Sequence, residues 1–294
     1  MKYLNYIFFL TVMLAFSCDP EGVAVHDTGD DTAPQNVADM TVTPTVGGGI
    51  LNYTLPMDED LLYVKARYEI APGRWRESKS SVYARNIELD GFDKVGEKTV
   101  YVSTEDREGN VSEENEVAFS PLEPQYITTQ KSLEAQETWG GINVKFQNQV
   151  QKELALICLV KDVSGGYVES ETYYTTAKEE DINFRGYEDV KQTFGLVVRD
   201  RWGNYSDTLL VEHTPWFEME IDRTKYKKMK LPGEPSLDNW TGKYIEMIDG
   251  ITGEEANYGH TQGNTKLPVV FTIDMEQDAK LSRFILWQRR GGYI

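Results

Sequence analysis

The sequence predicts an all-β protein built on a repeated sandwich. Three observations carry that expectation: a seven-residue phrase occurs twice, strand-like alternation surrounds both copies, and no stretch sustains a capped 3.6-residue period. The phrase is DREGNVS from Asp106 and DRWGNYS from Asp200, with five of seven letters shared at a separation of 94 residues (200 − 106).

The repeat extends well beyond the phrase. In TVYVSTEDREGNVS, Val100, Val102 and Thr104 alternate on one face; in TFGLVVRDRWGNYS, Phe194, Leu196 and Val198 hold the matching places. Further back, GGGILNYTLP aligns with WGGINVKFQN, setting Leu51 and Tyr53 against Val144 and Phe146. LLYVKA aligns with LALICLV, setting Leu62 and Val64 against Leu156 and Cys158. Alternation with period two marks a half-buried strand. Each unit holds several such strands between Gly, Pro, Asn and Asp, which is the pattern of an immunoglobulin-like or fibronectin-III-like sandwich, twice over. The expected domains are 36–122 and 123–216. Prolines 121, 124 and 215 lie at their junctions, where a fixed φ and a missing donor end a strand. Tyr53, Val64 and Val102 are the expected core of one copy; Phe146, Cys158 and Leu196 are that of the other.

The phrase reads as a turn between the last strands of each unit. Gly109 and Gly203 supply positive φ, Asp106 and Asp200 accept from the backbone two residues on, and Asn110 and Asn204 tolerate left-handed geometry. A calcium loop of Asp106, Glu108 and Asn110 is the alternative. The second copy has Trp202 where Glu108 stands, and neither copy has the glycine required next, so the turn is preferred. Trp202 and Tyr205 at a loop tip are candidate carbohydrate-binding residues, since flat aromatic faces stack on sugar rings; packing across a neighbouring strand is the commoner use of such rings. Trp75 and Trp139 carry the same ambiguity.

Composition bounds the function. A chain of 294 residues suggests two or three domains. Hydrophobic residues at 40% and aromatics at 12% suffice for ordinary cores. A formal charge of −18 repels phosphate backbones, so no nucleic acid is expected as a partner. Three His and two Cys leave little for a zinc or thiol site. No Gly-x-Ser-x-Gly elbow, phosphate loop or His-Glu-x-x-His occurs, so no enzyme is expected. Cys158, in the apolar run LALICLVKD, reads as a buried small hydrophobe.

The N-terminal MKYLNYIFFLTVMLAFSC has an early Lys2 and an apolar run from about Tyr6 to Phe16, the pattern of a signal peptide over 1–17. LAFSC resembles a bacterial lipobox with Cys18 as the acylated residue, although Phe16 departs from the usual small residue. DPEG, which follows, resembles the acidic signal that directs Bacteroidota lipoproteins to the outer face of the outer membrane. Residues 18–35 read as an acidic tether that contains His26.

From 217 to 294 the composition shifts, and two strand patterns appear: Phe271, Ile273 and Met275, then Phe284, Leu286 and Trp287. The order of lipobox, tether, LPMDEDLLYVKARYEI, DREGNVS, FGLVVRDRWGNYSDTL and LSRFILWQR resembles a group of Bacteroidota outer-membrane lipoproteins. These carry two fibronectin-III-like domains of unassigned function and a discoidin-like (coagulation factor 5/8 type C) module, and their genes lie among polysaccharide-utilisation systems. Tyr53 and Phe146 stand where a tryptophan is common on an early fibronectin-III strand. The resemblance implies an incomplete discoidin-like, galactose-binding-like jelly roll at 217–294, with too few residues after Trp287 to cover its apolar face. It also implies a non-catalytic surface lipoprotein that assists glycan capture, with other polysaccharide-utilisation surface proteins as partners. The runner-up is a spacer or adhesin without glycan binding of its own, and an accessory part of a glycoside hydrolase follows. Within the module, IDGITGE places Asp249 where a structural calcium ion is held, the one cofactor considered, against a plain turn. His260, in YGHT, falls near the sugar-facing loops, against a packed or solvated role.

Overall fold

The computed structural model describes residues 31–240, 242–251 and 258–287. Cys18, His26 and the signal segment lie outside them. Among the described residues no helix is long and apolar enough to cross a membrane.

The chain folds as two fibronectin-III-like sandwiches of seven strands each. The first comprises β1 (Ala38–Thr45), β2 (Gly48–Thr54), β3 (Leu61–Ala71), β4 (Arg74–Ser81), β5 (Asn86–Asp90), β6 (Lys98–Asp106) and β7 (Asn115–Phe119). Its sheets run β1-β2-β5 and β4-β3-β6-β7. After a short helix α1 (Gln125–Lys131) come β8 (Glu134–Thr138), β9 (Gly141–Gln147), β10 (Leu154–Lys161), β11 (Tyr167–Thr175), β12 (Glu179–Arg185), β13 (Gln192–Asp200) and β14 (Leu209–His213). These run β12-β9-β8 and β11-β10-β13-β14, the same order advanced by seven strands.

The inward residues of the first copy form one cluster that includes Tyr53, Val64, Tyr68, Phe92, Val100 and Val102. Phe92 stacks on Tyr68 at 5.2 Å and meets Phe119 edge-on at 5.3 Å. In the second copy Phe146, Leu156, Cys158, Phe194, Leu196 and Val198 are buried, as the alternation requires. Cys158 is buried within β10. One glycine per copy is fixed by close approach. A Cβ on Gly48 would stand 2.1 Å from the Leu89 carbonyl oxygen, and one on Gly141 would stand 1.8 Å from that of Phe184. The pairs GG and GG of the two aligned segments therefore mark where each second strand crowds its neighbour.

Three sequence expectations need correction. A register shift between Leu61 and Tyr63 buries Leu61 and leaves Leu62 43% exposed, because a bulge turns the following side chain over. The same bulge displaces the alignment of that strand. Val64 faces Thr104 and Leu156 faces Val198, so Val64 corresponds to Leu156, and Ala66 to Cys158. Helix α1 was not expected, since seven residues are too few to display a period. Pro124 opens it, a place where a missing N–H costs nothing.

By contact, the described chain separates into two compact units that do not follow the sandwich boundaries. One holds the first sandwich and the four-stranded sheet of the second up to Val211; the other holds 135–143, 182–192 and 212 onward. In the latter, β15 (Lys227–Met229) and β16 (Thr272–Asp274) form a three-residue ladder. The strand expected at Phe284–Trp287 is not formed: residues 279–287 have no regular structure, and Phe284, Leu286 and Trp287 stay 62–74% exposed. A strand needs a paired neighbour for its backbone, and among the described residues none pairs with this segment.

Candidate functional site

The repeated phrase is a turn, bond for bond, in both copies. Asn110 N–H donates to Asp106 Oδ1 at 2.8 Å and Asn110 Nδ2 to Oδ2 at 3.0 Å; Asn204 makes the same two bonds to Asp200 at 2.8 Å each. Gly109 and Gly203 take φ of +90° and +77°. Neither asparagine uses the left-handed geometry it tolerates; their side chains close the loop on the aspartate. Asp60, Asp106 and Glu108 each bring one oxygen within 4.8 Å of the others, the group among the described residues closest to a metal-ligand set. Both Asp106 oxygens are already engaged by Asn110.

The second turn has a further use. Trp202 lies under the Arg76 guanidinium, 3.7 Å from its ring centre, and under Arg201 at 4.4 Å. Asp90 joins both arginines, at 3.2 Å to Arg76 and 2.8 Å to Arg201. Arg74 donates to the Trp202 carbonyl at 2.8 Å and to Asn204 Oδ1, and Asn204 Nδ2 donates to the Gly91 carbonyl at 3.0 Å. Tyr126 on α1 adds a bond to the Asp93 carbonyl at 2.5 Å. Burial pushes its hydroxyl up to about 12, so it remains a donor. The ring of Trp202 is thus engaged by the first copy, while the first copy's own turn has Glu108 at that place.

The candidate binding site lies on the outer face of β3, β4 and β6. Gly73, at φ +75°, turns β3 into β4 and brings Trp75 opposite Glu69; Tyr101 stands opposite Arg67. Arg67 sits 4.7 Å from the centres of both the Trp75 and Tyr101 rings, which are 6.0 Å apart and tilted by 43°. Its charge is answered by a forked pair with Glu114 at 3.0 and 2.7 Å, which holds Arg67 above and Glu114 below their ordinary values. Beside this wall runs a groove of about 300 Å³ lined by Glu69, Ala71, Pro72, Trp75, Lys94, Glu97, Lys98, Thr99 and Tyr101. Trp75 is 48% exposed. Lys98 is pinned by Asp93 at 2.9 Å. An aromatic wall with a rim of donors and acceptors of both signs suits a ring that carries hydroxyls on its edge and C–H groups on its face.

The other sequence candidates are dispersed. Tyr205 is 56% exposed, beside Arg199 and Tyr174. In the second unit, His260 is half-buried near Trp240 and Tyr258, at 5.9 and 6.2 Å between rings, and lines a cavity of about 300 Å³ with Leu237, Met247 and Phe271. Asp249 is exposed, and its Oδ1 accepts from the Ile251 N–H at 2.8 Å, a local turn. Trp139 packs edge-on against Trp216 at 5.4 Å. Sequence reasoning gave Trp75 only a passing place and missed Tyr101, Arg67 and Trp240. The signal for the first three was the alternation of Arg67, Glu69, Trp75 and Tyr101 on outward positions.

Family models match three successive stretches, each described as a domain of unknown function: DUF4959 over 34–121, DUF5126 over 122–224 and DUF5000 over 248–294. No curated protein shows significant similarity to the chain. Among solved structures, a SusE-like protein is 30% identical over 54% of this chain and 57% of its own length, with a TM-score of 0.30. The chain thus spans a little over half of that relative. A two-domain fibronectin type III segment of chicken tenascin is 14% identical over 61% of this chain and 99% of its own, with a TM-score of 0.29. The FN1–FN3 domains of chicken CNTN1 are 9% identical over 68% and 72%, with a TM-score of 0.27. The fold assignment rests on the strand order itself.

Proposed function

We propose that this chain is a non-catalytic glycan-binding lipoprotein of the outer membrane surface, anchored through Cys18 and carrying its domains on the acidic tether. The observation that supports this best is the groove beside Trp75 and Tyr101, an aromatic wall with a mixed-charge rim. A binding role is favoured over hydrolysis because cleavage needs two carboxylates sharing the work. Of the two that line the groove, Glu69 is tied to the turn by the Gly73 N–H at 2.6 Å. The domains are read as 36–122, 123–216 and a discoidin-like 217–294, in which His260 offers a further sugar contact and Asp249 a calcium ligand.

One observation favours a second reading, a spacer. The Arg76–Trp202–Arg201 contact fixes the second turn on the first copy, as a rigid arm requires. A glycan array with the full-length protein separates the two. Binding abolished by Trp75→Ala supports glycan capture; no binding to any glycan leaves the spacer. Replacing Cys18 by Ala should move the protein to the soluble fraction, and retention in the membrane contradicts the anchor.

A further inference from the structure

The two sandwiches, alike in strand order, differ at one outward row. In the second copy Ala155 on β10 pairs with Tyr174 on β11 and with Arg199 on β13, and Arg199 bridges to Tyr205. The corresponding row in the first copy is Ser81, Tyr63, Glu105 and Val111. The central charge has changed sign, and the flanks have become tyrosines.

The geometry of the row follows from Ala155. Tyr174 and Arg199 are separated by a whole strand, roughly 10 Å of backbone. Their heads nonetheless meet, Arg199 Nη2 donating to the Tyr174 hydroxyl at 3.2 Å. They converge over a buried methyl group, where Tyr63 of the first copy would fill the space. Arg199 Nη1 reaches the Tyr205 hydroxyl at 3.5 Å, and both rings lie 5.9 Å from the guanidinium carbon. Tyr174 and Tyr205 are 68% and 56% exposed.

Arg199 has no carboxylate partner within ion-pair distance among the described residues, unlike Arg67, Arg76, Arg185 and Arg201. Two acidic groups close to it, Asp200 next in the chain and Glu153 on the neighbouring β10 side, are otherwise employed. Asp200 holds the turn through Asn204, and Glu153 lies 3.8 Å from Arg201. Two of the five guanidinium N–H groups point to tyrosine oxygens, which leaves three to donate. Each tyrosine, as acceptor from Arg199, keeps its own O–H to offer outward.

We propose that Tyr174, Arg199 and Tyr205 form a second saccharide site, one selective for an acidic sugar, a uronate whose carboxylate sits on Arg199 while its ring lies against a tyrosine. The proposal rests on the reading that this protein binds glycans, and it adds the substrate class. The formal charge of −18 opposes a polyanion at long range, as it does a phosphate backbone, so the site must act through short-range contacts. Screening confines charge effects to about 8 Å at physiological salt, so the local unpaired cation decides.

The test is titration of the full-length protein in detergent with polygalacturonate, with the same polymer methyl-esterified, and with a neutral panel. The wild type should bind polygalacturonate at least about tenfold more tightly than its ester, a preference that falls with added salt. Arg199→Gln should abolish the preference, and Tyr174→Ala with Tyr205→Ala should weaken binding to both polymers, while Trp75→Ala keeps the preference. Equal binding of both polymers, or an unchanged preference in Arg199→Gln, overturns the proposal. If neutral glycans bind through Trp75 and polygalacturonate does not, this site fails alone; if nothing binds, the glycan reading fails with it.

Discussion

The guanidinium of Arg76 lies 3.7 Å above the ring of Trp202, an arginine of the first sandwich over a tryptophan of the second copy's turn. Asp90 fixes that arginine from the side and ties it to Arg201 as well. The repeated phrase therefore serves one purpose twice and another purpose once. Both copies close a turn, and the second also clamps its sheet to the preceding domain.

Trp202→Ala should loosen that clamp without unfolding either sandwich. A partly exposed cation–π contact and a half-buried aromatic face together are worth about 1–2 kcal/mol. The expected outcome in denaturant is a single unfolding transition in the wild type that broadens or splits in the variant. An unchanged transition would show that the contact contributes nothing.

Asp60 should make stability depend on pH. Its carboxyl is pushed from 3.8 up to about 6, first by a hydrogen bond with Asp58, then by burial and by the Asp58 charge. The folded value lies above the unfolded one, so this stability is fully present below about 3.8 and lost as pH rises through about 6. Asp60→Asn should therefore raise the unfolding midpoint at pH 7.5 and leave it nearly unchanged at pH 3.5. The opposite ordering would contradict the assignment.

Much of this was legible in the sequence because strand burial depends only on parity. The two-residue misalignment of Val64 with Cys158 left every core assignment intact, since a shift of two returns a side chain to the same face. The bulge at Leu61 was not legible, because it depends on pairing with β6, and Leu62 was misplaced as a result. The site was less legible still. Trp202 was recognisable as an aromatic at a loop tip, but its partner Arg76 is 126 residues away (202 − 76) and belongs to no local pattern. Tyr205 was identified, while Arg199 and Tyr174 join it only once β10 and β13 are in register.

Glu218 should decide how firmly the segment after 217 is held. Its side chain is 10% exposed, and it accepts from Arg185 at 2.9 Å and Ser282 at 2.5 Å and pairs with Arg283 at 3.1 Å. Glu218→Gln removes the charge that two arginines share. Limited proteolysis between Asp222 and Trp287 should speed up about tenfold or more, equivalent to ~1.4 kcal/mol of local stability. Equal cleavage of both proteins would mean that Ser282 and Arg283 are held by other contacts.

The central claim is that the groove beside Trp75 captures glycan without cleaving it. The most direct measurement is equilibrium binding of the glycan that scores highest on an array, followed in parallel by product analysis, for the wild type and for Trp75→Ala. The account predicts saturable binding, a loss of at least about tenfold in Trp75→Ala with the fold intact, and no shortened product. Undiminished binding in Trp75→Ala, or release of cleaved sugar by the wild type, would contradict it.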